Sequence, residues 1–170
     1  RSDAVNLDFP RSIRTLFLIG FAALLAACQS VPPTTGFNAA QIAVLQSQGF
    51  VETGPGWMLS MPERLLFPSN ESSVTPEQQQ RITDIAAKLV AVGIPTARIE
   101  GHTDSTGASA YNLTLSQARA QAVAGPMQAG GMQFTADQIV GRGETLPLSS
   151  NATPEGRQDN RRVVVIVTPQ

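Results

Sequence analysis

Glu100-Gly101-His102-Thr103-Asp104-Ser105-Thr106-Gly107 is the stretch on which the fold of this chain turns. Just before it, residues 97–101 (Ala-Arg-Ile-Glu-Gly) read as a short strand. Just after it, a segment rich in Ala, Gln and Arg from Ser109 to about Ala124 reads as a helix. The octapeptide is therefore a strand-to-helix loop carrying a carboxylate among small polar residues. Free backbone N–H groups and the positive end of a helix meet an anion in such a place. Asn112, Leu115 and Arg119 follow on the helix, and Gly156-Arg157-Gln158-Asp159-Asn160-Arg161-Arg162 leads into the last strand. An Asp and an Arg across one pocket suit a ligand with both an ammonium and a carboxylate, since the Arg fork takes the carboxylate and Asp the ammonium. On the residues alone a plainer reading stays open: Asp104 caps the helix, and Arg119 pairs with Asp104 or Glu100.

Working outward, residues 39–48 read as a short helix with Asn38 as N-cap, Ile42 and Leu45 three apart, and Gly49 as the left-handed stop. Ten residues make a marginal helix, so it must dock on something. Trp57, Leu59 and Met61 alternate with Met58 and Ser60 as in a strand, resuming at Leu65-Leu66-Phe67, with Pro62 implying an edge or bulge. Thr75-Pro76-Glu77-Gln78 opens a helix with apolar face Ile82, Ile85, Ala86 and Leu89, closed by Gly93 and Pro95. Ile139-Val140-Gly141 is a third strand. Arg162-Val163-Val164-Val165-Ile166-Val167 is a fourth, apolar enough to be buried on both faces. The order β-α-β-α-β-β gives an α/β (α+β) sandwich, a mixed sheet with helices packed on it. Gly125-Pro126 predicts a break or kink near Ala124, because a proline inside a helix costs about 3 kcal/mol. That places in question the packing of Met127 and Met132.

The 170 residues are 42% apolar, enough for one packed domain, and the formal charge of −1 gives no reason to expect a nucleic-acid partner. A single His102, at a strand end, reads as structural and leaves little from which to build a metal site, so neither cofactor nor metal is expected. The single cysteine, Cys28, excludes an internal disulfide. Arg11 and Arg14 precede an apolar run from Leu16 to Ala27 that meets Cys28. These twelve residues fall short of the roughly 20 that span a bilayer and match the apolar region of a secretory signal. Leu25-Ala26-Ala27-Cys28 resembles the bacterial lipobox, which implies acylation of Cys28 and removal of residues 1–27. Loss of three basic and two acidic residues then leaves 9 against 11, a formal charge of −2. Gln29 after the cysteine implies a lipid-anchored position in the outer membrane, facing the periplasm. The expected organisation is a signal peptide (1–27), a lipidated cysteine with linker and short helix (28–56), and a folded domain (57–170).

Four motifs in order, EGHTDSTG, NLTLSQARAQAV, GRGETLP and GRQDNRRV, resemble the OmpA-like domain over residues 57–168. That resemblance implies a peptidoglycan-binding module gripping the diaminopimelate of the peptide stem. Carried over by motif position, Asp104 meets its amino group and Arg119 its carboxylate. Gly107 and Asn112 shape the pocket, Leu115 lies on its rim, Arg162 closes it, and Asn70 lines it. Gly36 to Phe50 and the Gly56-Trp57 strand further resemble a regulatory subgroup of these lipoproteins in a cyclic-di-GMP system. This implies capture of a periplasmic repressor of the YfiR type, with Ile42, Leu45, Phe50 and Trp57 as its contact surface. A purely structural tether between outer membrane and cell wall is the alternative, and a homodimer stays open. Hydrolysis would require paired carboxylates, a nucleophile with a His base, or a metal cluster. Cys28 is taken by lipid, His102 stands alone and Asp104 has no second acid beside it in the sequence, so no enzyme is expected.

Overall fold

Asn38 starts the chain's first described element with a reciprocal cap. Its Oδ1 accepts from the Gln41 N–H at 2.9 Å, and Gln41 Oε1 accepts from the Asn38 N–H at 3.0 Å. The computed structural model describes residues 36–54, 56–68 and 71–169, which fall within one unit, Thr35–Gln170. The expected signal peptide, the linker residues before Gly36, and both Cys28 and Asn70 lie outside the described residues.

Helix α1 (Ala39–Ser47) ends at Gly49, whose φ of 84° lets the Phe50 N–H return to Leu45 O at 3.0 Å. Leu45 and Phe50 are both buried. Gln41 Nε2 also donates to Val92 O, so the short helix is held by its neighbours, as its length required. Strand β1 (Val51–Thr53), which the sequence pattern did not announce, forms a hairpin with β2 (Gly56–Pro62). β1 covers only Gly56 to Met58, so Pro62 stands at the far end of the rim that β1 leaves open.

The expected return of the strand at Leu65-Leu66-Phe67 is corrected. Residues Glu63–Leu66 form a single helical turn, α2, in which the Phe67 N–H donates to Glu63 O. Leu66 and Phe67 are apolar because both are buried in the core, not because they alternate across a sheet. Helix α3 (Pro76–Ala91) begins at Thr75, whose hydroxyl accepts from the Gln78 N–H, and buries Ile82, Ile85, Ala86 and Leu89 as its spacing required.

Strand β3 (Arg98–His102) runs into helix α4 (Ser109–Ala129), followed by β4 (Ile139–Gly141), helix α5 (Pro154–Asn160) and β5 (Arg162–Val167). The sheet order is β1-β2-β5-β3-β4, with β5 antiparallel to both β2 and β3, and β4 parallel to β3. Val163, Val165 and Val167 are fully buried and Val164 nearly so, as expected for a central strand. Helix α4 rides close on β3: a Cβ added to Gly101 would sit 2.0 Å from Ser116 O.

The break expected near Ala124 does not occur, and α4 runs through Pro126 to Ala129. The lost N–H is outweighed by packing. Val123, Ala124 and Met127 are buried, and Gly130 lets the backbone close on Thr83 of α3, whose hydroxyl donates to Pro126 O. Met132 is buried as well.

Candidate ligand-binding site

The loop after β3 is pinned from inside. Asn112, on the first turn of α4 and buried, donates through Nδ2 to Thr106 O at 3.1 Å, Asp104 O at 3.3 Å and Glu144 Oε2 at 2.5 Å. Gly107 takes a φ of 91°, a left-handed turn that side chains disfavour. Asn151 Oδ1 accepts from the Ser105 N–H, tying the loop to the segment before α5.

Within this frame the Asp104 carboxylate accepts from the Thr106 N–H at 2.8 Å and from Arg161 Nη1 at 2.5 Å. Burial alone would raise its pKa. The Thr106 N–H and the Arg161 guanidinium outweigh that and hold it below the ordinary carboxylate range. Arg119, three turns along α4 and 5% exposed, donates through Nη2 to Glu63 Oε1 at 2.7 Å and lies 5.4 Å above the Phe67 ring. Glu63 Oε2 is in turn 3.4 Å from Arg161 Nε. Asp104, Arg161, Glu63 and Arg119 thus form a chain of alternating charge, drawn from the β3–α4 loop, the residue between α5 and β5, the single turn α2 and the middle of α4. Two anions and two cations leave it formally neutral, and it can exchange partners with a ligand carrying one ammonium and one carboxylate. Leu115 is half-buried one turn before Arg119 and shares its side of the helix.

Two members of this chain, Glu63 and Arg161, escaped the sequence reading. The family resemblance assigns the pocket role to Arg162 and not to its neighbour Arg161. The structure turns Arg162 the other way, donating to Asn160 O and Leu146 O at 3.2 Å, opposite His102. Successive strand residues face opposite sides, so Arg162 shares the face of Val164, away from α4. The aliphatic run from Val163 to Val167 shows no alternation in the sequence by which the two arginines could be told apart. For Glu63 no local signal existed, because its partner Arg119 lies 56 positions away.

The plainer alternatives are also answered by position. Glu100 does not hold Arg119; it accepts from Arg142 Nη2 at 2.6 Å and Arg98 Nε at 2.8 Å. Burial raises the Glu100 pKa, but these two arginines bring it below the usual value. His102, 3% exposed, is pushed down to about 4 by burial and then by Arg162, with Glu100 opposing, so it is neutral near pH 7. Leu45, Phe50 and Trp57, expected as a contact surface, are core residues here, and Ile42 packs partly against that core.

A domain with this strand order and a charged loop-to-helix site defines a recognisable class, and the chain belongs to the OmpA family, whose profile matches residues 66–161. It is 41% identical over 158 residues to Outer-membrane lipoprotein YfiB of Pseudomonas aeruginosa, an alignment covering 93% of this chain and 94% of that protein. Among solved structures it is similar to the cell wall anchor of the T6SS from Pseudomonas aeruginosa, at 30% identity and a TM-score of 0.59, covering 77% of this chain and 95% of that one. It is also similar to the peptidoglycan-associated lipoprotein from Burkholderia pseudomallei, at 27% identity and a TM-score of 0.53, covering 64% of this chain and 89% of that one.

Proposed function

We propose that this chain is a non-catalytic outer-membrane lipoprotein, anchored at Cys28 and facing the periplasm, that binds peptidoglycan through the diaminopimelate of its stem peptide. The observation that carries this reading is the alternating chain Asp104–Arg161–Glu63–Arg119 at the junction of β3 and α4. The side-chain end of diaminopimelate bears an ammonium and a carboxylate on one carbon. Asp104 takes the ammonium, Arg119 takes the carboxylate, and the loop held by Asn112 and Gly107 keeps the two apart. Likeness to a cell wall anchor and a peptidoglycan-associated lipoprotein supports the same ligand.

Whole-chain similarity to YfiB supports a regulatory role. In it the anchored domain sequesters a periplasmic YfiR-type repressor and so raises cyclic-di-GMP, with α1 and the β1–β2 hairpin as the responsive part. The alternative, a purely structural tether, is favoured by the Burkholderia pseudomallei likeness. Leu45→Pro, which destroys α1, separates the two: it alters repressor capture and cyclic-di-GMP output in a regulator and neither in a tether.

Calorimetric titration of residues 35–170 with a diaminopimelate-containing stem peptide, beside Asp104→Ala, tests the wall reading. Removing one member of a buried charge pair costs roughly 2–5 kcal/mol, so the variant should lose at least about thirtyfold in affinity. Equal binding by both proteins, or none by a folded wild type, refutes it.

A further inference from the structure

Glu63 stands outside every motif of this chain and just before the stretch that matches the family, residues 66–161. Its backbone is fixed: the N–H donates to Arg161 O at 3.0 Å and the carbonyl accepts from the Phe67 N–H at 3.0 Å. Pro62 before it has a φ of −60° and no freedom to leave it. Only the side chain can move, and it reaches into the middle of the site. There it occupies Arg119 Nη2, while Arg119 Nε and Glu63 Oε2 are buried without a hydrogen-bond partner among the described residues. Arg119 therefore already holds a carboxylate, yet with half of its fork idle. A carboxylate set against both Nε and Nη2 would make two parallel bonds where Glu63 makes one.

We infer that Glu63 is a built-in carboxylate occupying the arginine subsite of the free protein, and that it restricts the site to carboxylates carrying an adjacent ammonium. This rests on the ammonium-plus-carboxylate reading proposed above. A ligand carboxylate that takes Arg119 strips Glu63 of its shortest contact. Glu63 is only about one-fifth exposed, and its remaining cation, Arg161, is shared with Asp104. A displaced, partly buried carboxylate without a partner is costly. An ammonium beside the incoming carboxylate supplies that partner at the place where it was lost. A plain carboxylate does not, and an amine alone has nothing with which to displace Glu63. Selectivity then comes from what the wrong ligand leaves unpaired. Glu63 is a specificity-determining residue that acts by yielding its position.

The full chain and its Glu63→Gln and Glu63→Asp variants are titrated with three stem peptides. These differ only in one side-chain end: diaminopimelate (ammonium and carboxylate), lysine (ammonium alone) and 2-aminopimelate (carboxylate alone). Gln removes the charge at constant shape; Asp keeps it on an arm one methylene too short for Arg119, so one variant guards against misfolding of the other. In the wild type diaminopimelate should be preferred over 2-aminopimelate by roughly tenfold or more. In both variants the 2-aminopimelate peptide should gain about tenfold, closing the gap, while the lysine peptide stays weak. Wild-type binding of diaminopimelate, with 2-aminopimelate binding seen only in the variants, supports the inference in its strongest form. Wild-type binding with an unchanged gap in the variants, or loss of diaminopimelate binding in Glu63→Gln, overturns the inference and leaves the zwitterion reading standing. No binding by any of the three proteins overturns both.

Discussion

Replacing Gly101 with alanine tests how the sheet positions the site. An added Cβ would lie 2.0 Å from Ser116 O, 2.8 Å from Ser116 C and 3.2 Å from Ser116 Cα, all backbone atoms of α4. A carbon–oxygen contact settles near 3.3 Å, so α4 must retreat from β3 by more than an ångström, with no flexible side chain to absorb the strain. Overpacking of this kind costs about 1–3 kcal/mol, and a domain of this size loses roughly 3–5 °C of Tm for each kcal/mol. A fall of about 3–15 °C is therefore expected by differential scanning fluorimetry, with a matching shift of the urea midpoint. The site should suffer in parallel. Asp104 follows β3 while Arg119 lies one turn beyond Ser116, so retreat of the helix widens the gap that the ligand must span. Affinity for the diaminopimelate peptide should drop about tenfold or more at temperatures where the variant is folded. A Tm within 2 °C of wild type would refute the close approach of α4 to β3, and with it this account of how the two ends of the site are spaced.

Three further outcomes follow from the same geometry. The His102 pKa, depressed from 6.5 to about 4, leaves the unfolded chain binding the extra proton; stability should be complete above pH 6.5 and fall by about 3 kcal/mol towards pH 4, a slope that His102→Gln should flatten in pH-dependent urea unfolding. Asp104, held below its ordinary pKa, stabilises the fold above the unfolded value near 3.9 and ceases to as pH falls through the folded value; Asp104→Asn should lose most at neutral pH and least in strong acid, which parallel melts at pH 7 and pH 2.5 will show. Pro126→Ala restores a helical N–H inside a continuous helix and should raise stability by about 1–2 kcal/mol in equilibrium unfolding; a neutral or destabilising result would mean that α4 is already fully adapted to the proline.

What could be read from the sequence was local or periodic. The Asn38 and Thr75 caps, the Gly49 and Gly93 stops, the buried face of α3 and the central character of β5 were each written in a few adjacent residues. So was the loop carrying Asp104, with Asn112 and Arg119 at helical spacing behind it. The misreadings share another cause. Leu66 and Phe67 are apolar for a tertiary reason, burial in the core, while Leu65 stays exposed, so the triplet resembles a strand only in composition. Pro126 obeys packing against α3 over propensity. Glu63 enters the site through a contact between α2 and α4 that no short window contains, and the Arg161–Arg162 doublet precedes an aliphatic run with no alternation to separate the two.

That doublet depends on how β5 finds its alignment. Read from Arg161, the chain is two arginines and then five aliphatic residues, so a slip by one position would exchange like for like almost everywhere. Hydrophobic patterning, which usually forbids such slips, is nearly silent here. The alignment must be imposed from outside the strand, and Asn160 is placed to impose it. Fully buried, it accepts from the N–H groups of Leu148 and Ser149 and donates to Ser149 O and Asn151 Oδ1. A neutral amide thus acts as the locating pin for the sheet, deciding which of two identical neighbours meets Asp104.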